Sequence, residues 1–237
     1  MSVTATVRAK NGEVFWGWRD VGFVWVISIV ASIPMTVLMA VLMATTTSRA
    51  PLYSISLPAF GVIFWALRAR FRRKYDRPLW RSLGWVRPKL KVQTAVLLGQ
   101  LLAVSVALGG GMLALTELRT FARGLLADPV AFWFGFLPWS SVGPVCEELF
   151  YRGFLQPVLV RSWGAAAGIG FCALLLSGTN PALLGLPPQT LLLNVLVSVA
   201  FGIVRHKTGS TMVVAISHAA YNATFFFGAL LLELLAG

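Results

Sequence analysis

Gly143-Pro144-Val145-Cys146-Glu147-Glu148-Leu149-Phe150-Tyr151-Arg152-Gly153 is the stretch on which the reading of this chain turns. Two of the chain's eight acidic residues stand here side by side, among Phe, Trp, Leu and Val. Charged groups at membrane depth are costly and mark functional sites with a partner nearby. Spacing supplies the partner. Pro144 suits the first position of a helix, and from there Glu148 and Arg152 stand four residues apart on one face. The acid precedes the base, the favourable order for such a pair. Glu147 lies about 100° round the helix, so Arg152 neutralises it less directly. One carboxylate is then structural and the other is left for chemistry. The plainer alternative is a pair of acids that anchors a helix end near water.

Composition places the stretch in a membrane. Of the 237 residues, 57% are apolar and 12% charged, and the mean hydropathy is +0.78. A soluble domain carries about twice that charged fraction. The expected fold is an all-α, polytopic transmembrane helix bundle of about seven spans with an intramembrane polar cavity. The formal net charge of +12 does not read as a nucleic-acid footprint, because the cations sit beside apolar runs. They read as positive-inside residues whose partner is the lipid bilayer, anionic lipid included. Cys146 and Cys172 both lie in apolar sequence, so no disulfide framework is implied. No cleavable signal peptide is evident in the mixed, polar first twenty residues.

Residues 1–20 read as a cytoplasmic tail or interfacial helix, with Trp16 and Trp18 at headgroup level. Residues 21–130 hold the N-terminal spans: 21–44, kinked at Pro34; 52–67, broken by Pro58; and 92–115, where Gly109, Gly110 and Gly111 permit close helix contact or a local break. A basic loop over 68–91 carries ten of the chain's twenty Lys plus Arg. It is expected to be cytoplasmic and to set the N-terminus inside, the natural setting being the plasma membrane of a prokaryote. Residues 117–128 are expected as an outside loop. Residues 131–237 hold the core that carries the motifs. There 131–160 is either one long kinked helix or a short span followed by the motif helix. Further spans follow at 163–186, with a small-residue face over 164–168, at 190–204 and at 211–235.

Two more polar groups interrupt this core. His218 and Asn222 are four residues apart, hence on one helical face, and both side chains can donate to a developing oxyanion. An isolated His in an apolar helix is ordinarily a packing residue; here an amide shares its face. His206, between Arg205 and Lys207, reads as a solvated residue at a span end. Leu176-Ser177-Gly178-Thr179-Asn180-Pro181 breaks another apolar run. It is either a helix end capped before Pro181 or a lining contributed by Thr179 or Asn180.

Glu147-Glu148-Leu-Phe-Tyr-Arg152 resembles the E-E-x-x-x-R motif of the CAAX-processing and bacteriocin-processing intramembrane proteases, the CPBP or Abi group. His218-Ala-Ala-Tyr-Asn222 resembles that family's H-x-x-x-N motif. The resemblance spans roughly 132–227. It implies that Glu147 activates water, that Glu148 and Arg152 hold the motif helix, and that His218 and Asn222 position the water or the tetrahedral intermediate. It also implies a cavity reached from the cytoplasm and a membrane-associated or lipidated peptide substrate. The family's second motif, F-x-x-x-H, departs here: the best alignment sets Leu176 at the Phe position and Asn180 at the His position. An Asn can hydrogen-bond a water but cannot take its proton or serve as a good zinc ligand. No cofactor is therefore firmly implied, although the resemblance admits a divalent metal such as zinc. Two readings stand: an endopeptidase weakened by Asn180, or an inactive member that binds, scaffolds or gives peptide immunity. A proton-carrying transporter is a third, disfavoured by the lack of an inverted repeat. The oligomeric state is not legible.

Overall fold

The computed structural model describes residues 14–45, 57–87, 90–128, 130, 133–134, 138–179 and 188–236. Among them there is helix and no strand, as long apolar runs require: in lipid, every backbone polar group must be paired within its own segment. The helices are α1 (Trp18–Thr45), α2 (Leu57–Tyr75), the short α3 (Leu79–Ser82), α4 (Val92–Ala127), α5 (Pro138–Thr179), α6 (Pro188–Thr208) and α7 (Thr211–Ala236). Five of them, α1 and α4 to α7, are long and apolar enough to cross a membrane. The helix α5 folds back on itself at Gly164, whose φ of 80° and ψ of 168° are not helical. A Cβ on Gly168 would meet the backbone of Leu159 and Val160 at 2.7 and 2.5 Å, so the two limbs of this hairpin touch main chain to main chain. The small-residue stretch 164–168 thus supplies both the bend and the contact.

Several expected boundaries move. Pro58 is the second residue of α2 as described, Leu57–Tyr75, a place where a missing N–H costs nothing; residues 52–56 of the expected span lie outside the described residues. The helix runs on through Arg68, Arg70, Arg72, Arg73 and Lys74, the first half of the supposed basic loop. The supposed outside loop over 117–128 is helical as far as Ala127, since it holds good helix formers and no proline. Arg123 Nε donates to Glu233 Oε1 at 2.6 Å and ties this extension to α7. Trp16, expected at headgroup level, is buried at 3% exposure. Its Nε1 donates to the carbonyl of Phe154, and Arg161 holds the carbonyls of Val14 and Trp16. Trp18 does lie at the surface.

Two apolar cores flank the first limb of α5. On one side Phe150 and Phe154 pack with Val24 of α1, Phe71 of α2 and Leu83. The other core joins Val106 of α4, Phe201 of α6 and Val214 of α7. Among the described glycines the closest approach between helices falls at Gly99, not at Gly109. A Cβ on Gly99 would lie 2.0 Å from the Ser217 carbonyl oxygen and 2.9 Å from the Tyr221 nitrogen, whereas Gly109 meets only the Leu193 side chain, at 3.5 Å. Gly99→Ala is therefore expected to lower stability by about 1–3 kcal/mol, the usual cost of overpacking, and Gly109→Ala to change little. Unfolding midpoints in detergent check this, and equal midpoints would refute the crossing.

Basic segments gather at one end of the bundle. Asp20, at the start of α1, accepts from Arg70 Nε (2.5 Å), Lys74 Nζ (3.2 Å) and the Tyr75 hydroxyl (2.6 Å) at the end of α2. The α3 elbow closes over the same end: Thr211 Oγ1 donates to Leu83 O, and Ser210 Oγ to Val86 O. Gly153 admits this elbow, since a Cβ there would meet the Leu83 carbonyl oxygen at 2.7 Å.

Candidate active site

Proline placement shapes the motif helix. Residues Pro138–Val142 and Leu149–Leu155 are wound as π-helix, with α-helix over Gly143–Glu148 between them. Short π segments are rare and recur at functional sites. In the π register the N–H of residue 144 would serve the carbonyl of residue 139, but Pro144 has no N–H. Asn222 Nδ2 supplies that donor from α7, at 2.6 Å from Trp139 O. Gly143 fits the same turn, because a Cβ there would lie 2.6 Å from Pro138 O. Asn222→Ala removes the donor and should cost about 1–3 kcal/mol. Pro144→Ala restores a backbone N–H, so the double variant should regain most of the loss. Thermal unfolding of the three variants reads this directly, and no recovery would overturn the pairing.

One face of the motif helix carries Glu148, Arg152 and Gln156, spaced four apart and all buried. Glu148 Oε1 lies 2.8 Å from His218 Nδ1, and its Oε2 lies 3.3 Å from Arg152 Nε. Arg152 donates to the carbonyl and hydroxyl of Ser198 on α6, at 3.0 and 2.7 Å. Gln156 Nε2 donates to Gly202 O at 2.9 Å. The face is thus pinned to α6 and α7 together. Acceptance of the Nδ1 proton by Glu148 sets the neutral imidazole as the tautomer with a bare Nε2.

Glu147 faces elsewhere. It is half-buried, and among the described residues its carboxylate has no hydrogen bond or ion pair. His218, Glu148 and Arg152 lie within electrostatic reach of it. One turn further on, the Tyr151 hydroxyl is 2.6 Å from Thr179 Oγ1. Thr179 donates its own proton to the Leu175 carbonyl, so Tyr151 is the donor to Thr179 and keeps its lone pairs open. Thr179 belongs to the polar break, and Asn180 lies outside the described residues.

The structure brings Glu147, Glu148, Arg152, His218 and Asn222 to one region. His218 is seated on Glu148 rather than on Glu147, and Asn222 on a backbone carbonyl. Ser198, Gln156 and the Tyr151–Thr179 pair escaped the sequence reading. Gln156 was legible as the next member of the four-residue row; Ser198 carries no local signal. His206 is exposed on the last turn of α6. A zinc ion needs three or four ligands, and among the described residues no three His, Cys, Asp or Glu side chains come together. This donor set does not fit zinc, and no chemical step is routed through a metal. A groove of about 770 Å³, lined by Gln100, Ser140, Ala220 and Ala223 among others, lies mostly about half a turn round α7 from His218 and is not this site.

An acid pair, a histidine and an amide lie together inside an apolar helical bundle, and the five long helices mark an integral membrane protein. The family comparison makes this specific: residues 129–224 match the family described as Type II CAAX prenyl endopeptidase Rce1-like. The matched segment is the one that carries both motifs, and its family is the one those motifs resemble; the N-terminal helices precede it. No curated protein and no solved structure matches the chain.

Proposed function

We propose that the protein is an intramembrane endopeptidase that cleaves a peptide bond at or near the membrane, with Glu147 as the base that activates water. One observation carries the reading: of the two adjacent acids, only Glu148 is consumed by ion pairs among the described residues. A general base must be free to take a proton, and Glu147 is. Water adds to the scissile carbonyl while Glu147 takes its proton. The second hydrogen on Asn222 Nδ2 is left for the oxyanion. As the C–N bond breaks, the leaving amine takes that same proton back from Glu147, directly or relayed through His218 Nε2, the imidazolium formed in the relay being stabilised by Glu148.

Membrane-associated or lipidated peptides are the proposed substrates, with the N-terminus and residues 68–91 on the cytoplasmic side. That placement rests on the gathering of cations at one end of the bundle. A second reading, a non-catalytic peptide-binding member, draws on the engagement of His218 and Asn222 with the scaffold. Wild-type protein in reconstituted vesicles should shorten a prenylated C-terminal peptide, and Glu147→Ala should not. Retention of uncleaved peptide by both would favour the binding reading.

A further inference from the structure

The end of α2 holds more positive charge than the protein itself neutralises. Asp20 is taken up by Arg70, Lys74 and Tyr75, and Arg77 lies over the Phe15 ring. Arg68, Arg72, Arg73 and Arg81 are exposed, and none makes an ion pair among the described residues. Arg68 and Arg72 are four residues apart on one face, where like charges repel. Attraction to the helix C-terminus offsets part of that repulsion. Trp65 shares the face, three residues before Arg68, and is 72% exposed. Residues 57–67 of α2 are apolar and the turns after them basic, and an exposed Trp at such a change marks the membrane–water boundary. Arg72 follows it by about 10 Å along the axis, the depth of lipid phosphates. The elbow repeats the pattern: Leu79 and Leu83 are buried, while Trp80 is 52% exposed beside Arg81.

We propose that this face of α2 is a binding site for an anionic phospholipid, its phosphate held between the guanidiniums of Arg68 and Arg72 and its glycerol end against Trp65. Arginine suits the task because its planar fork meets two phosphate oxygens at once. Arg73 and Arg81 add to the attracting field. This site is separate from the polar centre and does not depend on catalysis.

The test titrates phosphatidylglycerol into the purified full-length protein in neutral detergent, with the unfolding midpoint as readout. Phosphatidylglycerol should raise the midpoint saturably, while phosphatidylcholine and inorganic phosphate should not. Arg68→Gln with Arg72→Gln should weaken the apparent affinity roughly 30-fold, from about 1 kcal/mol per basic residue near a lipid surface. Arg87→Gln, an exposed cation off this face, should leave it within about twofold of wild type on the same scale. Equal responses to the two lipids overturn the proposal. An equal response to inorganic phosphate replaces the lipid headgroup by a free anion and overturns it too. Equal weakening by Arg87→Gln does so as well, since it reduces the site to a diffuse field.

Discussion

Glu147→Gln should leave a folded protein whose peptide cleavage is lower by roughly 10²–10⁴-fold, the usual contribution of a positioned acid–base group. The substitution keeps the shape of the side chain and removes only its ability to take a proton. No ion pair is lost with it, because Glu147 has none among the described residues. Its unfolding midpoint should therefore stay at the wild-type value. The measurement is single-turnover cleavage in vesicles alongside thermal unfolding of the same preparation. A retained rate would exclude Glu147 as the base. A large fall in midpoint would show instead that this acid is part of the scaffold.

Arg152→Met should behave in the opposite way and lower stability by about 3–5 kcal/mol, the cost of leaving one buried charge without its partner. Glu148 and Arg152 have side chains 0% and 1% exposed, so water cannot compensate the survivor. The double variant Glu148→Gln with Arg152→Met removes both charges, and Gln can still accept from His218 Nδ1. It should recover a substantial part of the loss, which appears as a coupling energy in the double-mutant cycle. Additive losses would mean that the two residues act independently despite the 3.3 Å separation.

Much of this architecture follows from local rules that a sequence displays. Apolar composition demands helices in lipid, and helices are what the described residues form. The four-residue interval between Glu148 and Arg152 places them on one face, and they meet there. The same interval sets His218 and Asn222 together on α7. The motif pair also pointed to the family that the comparison returned. The expected boundaries failed where tertiary contacts prevail over composition, as in the basic turns of α2 and the extension of α4.

Distances along one helix repeat every 3.6 residues and need no partner, so the sequence alone determined the Glu148–Arg152 pair, the His218–Asn222 face and the membrane setting. Contacts between helices depend on how each is rotated and where they cross, and a turn of 100° replaces one facing residue by its neighbour. Only the tertiary structure could decide that His218 meets Glu148 and leaves Glu147 unpaired among the described residues. The close crossing at Gly99 depends on backbone approach between distant segments, which no spacing records. Asn222 reaches the Trp139 carbonyl because a π turn meets Pro144 at one place opposite α7. That coincidence of a missing donor and a facing amide exists only once the helices are packed.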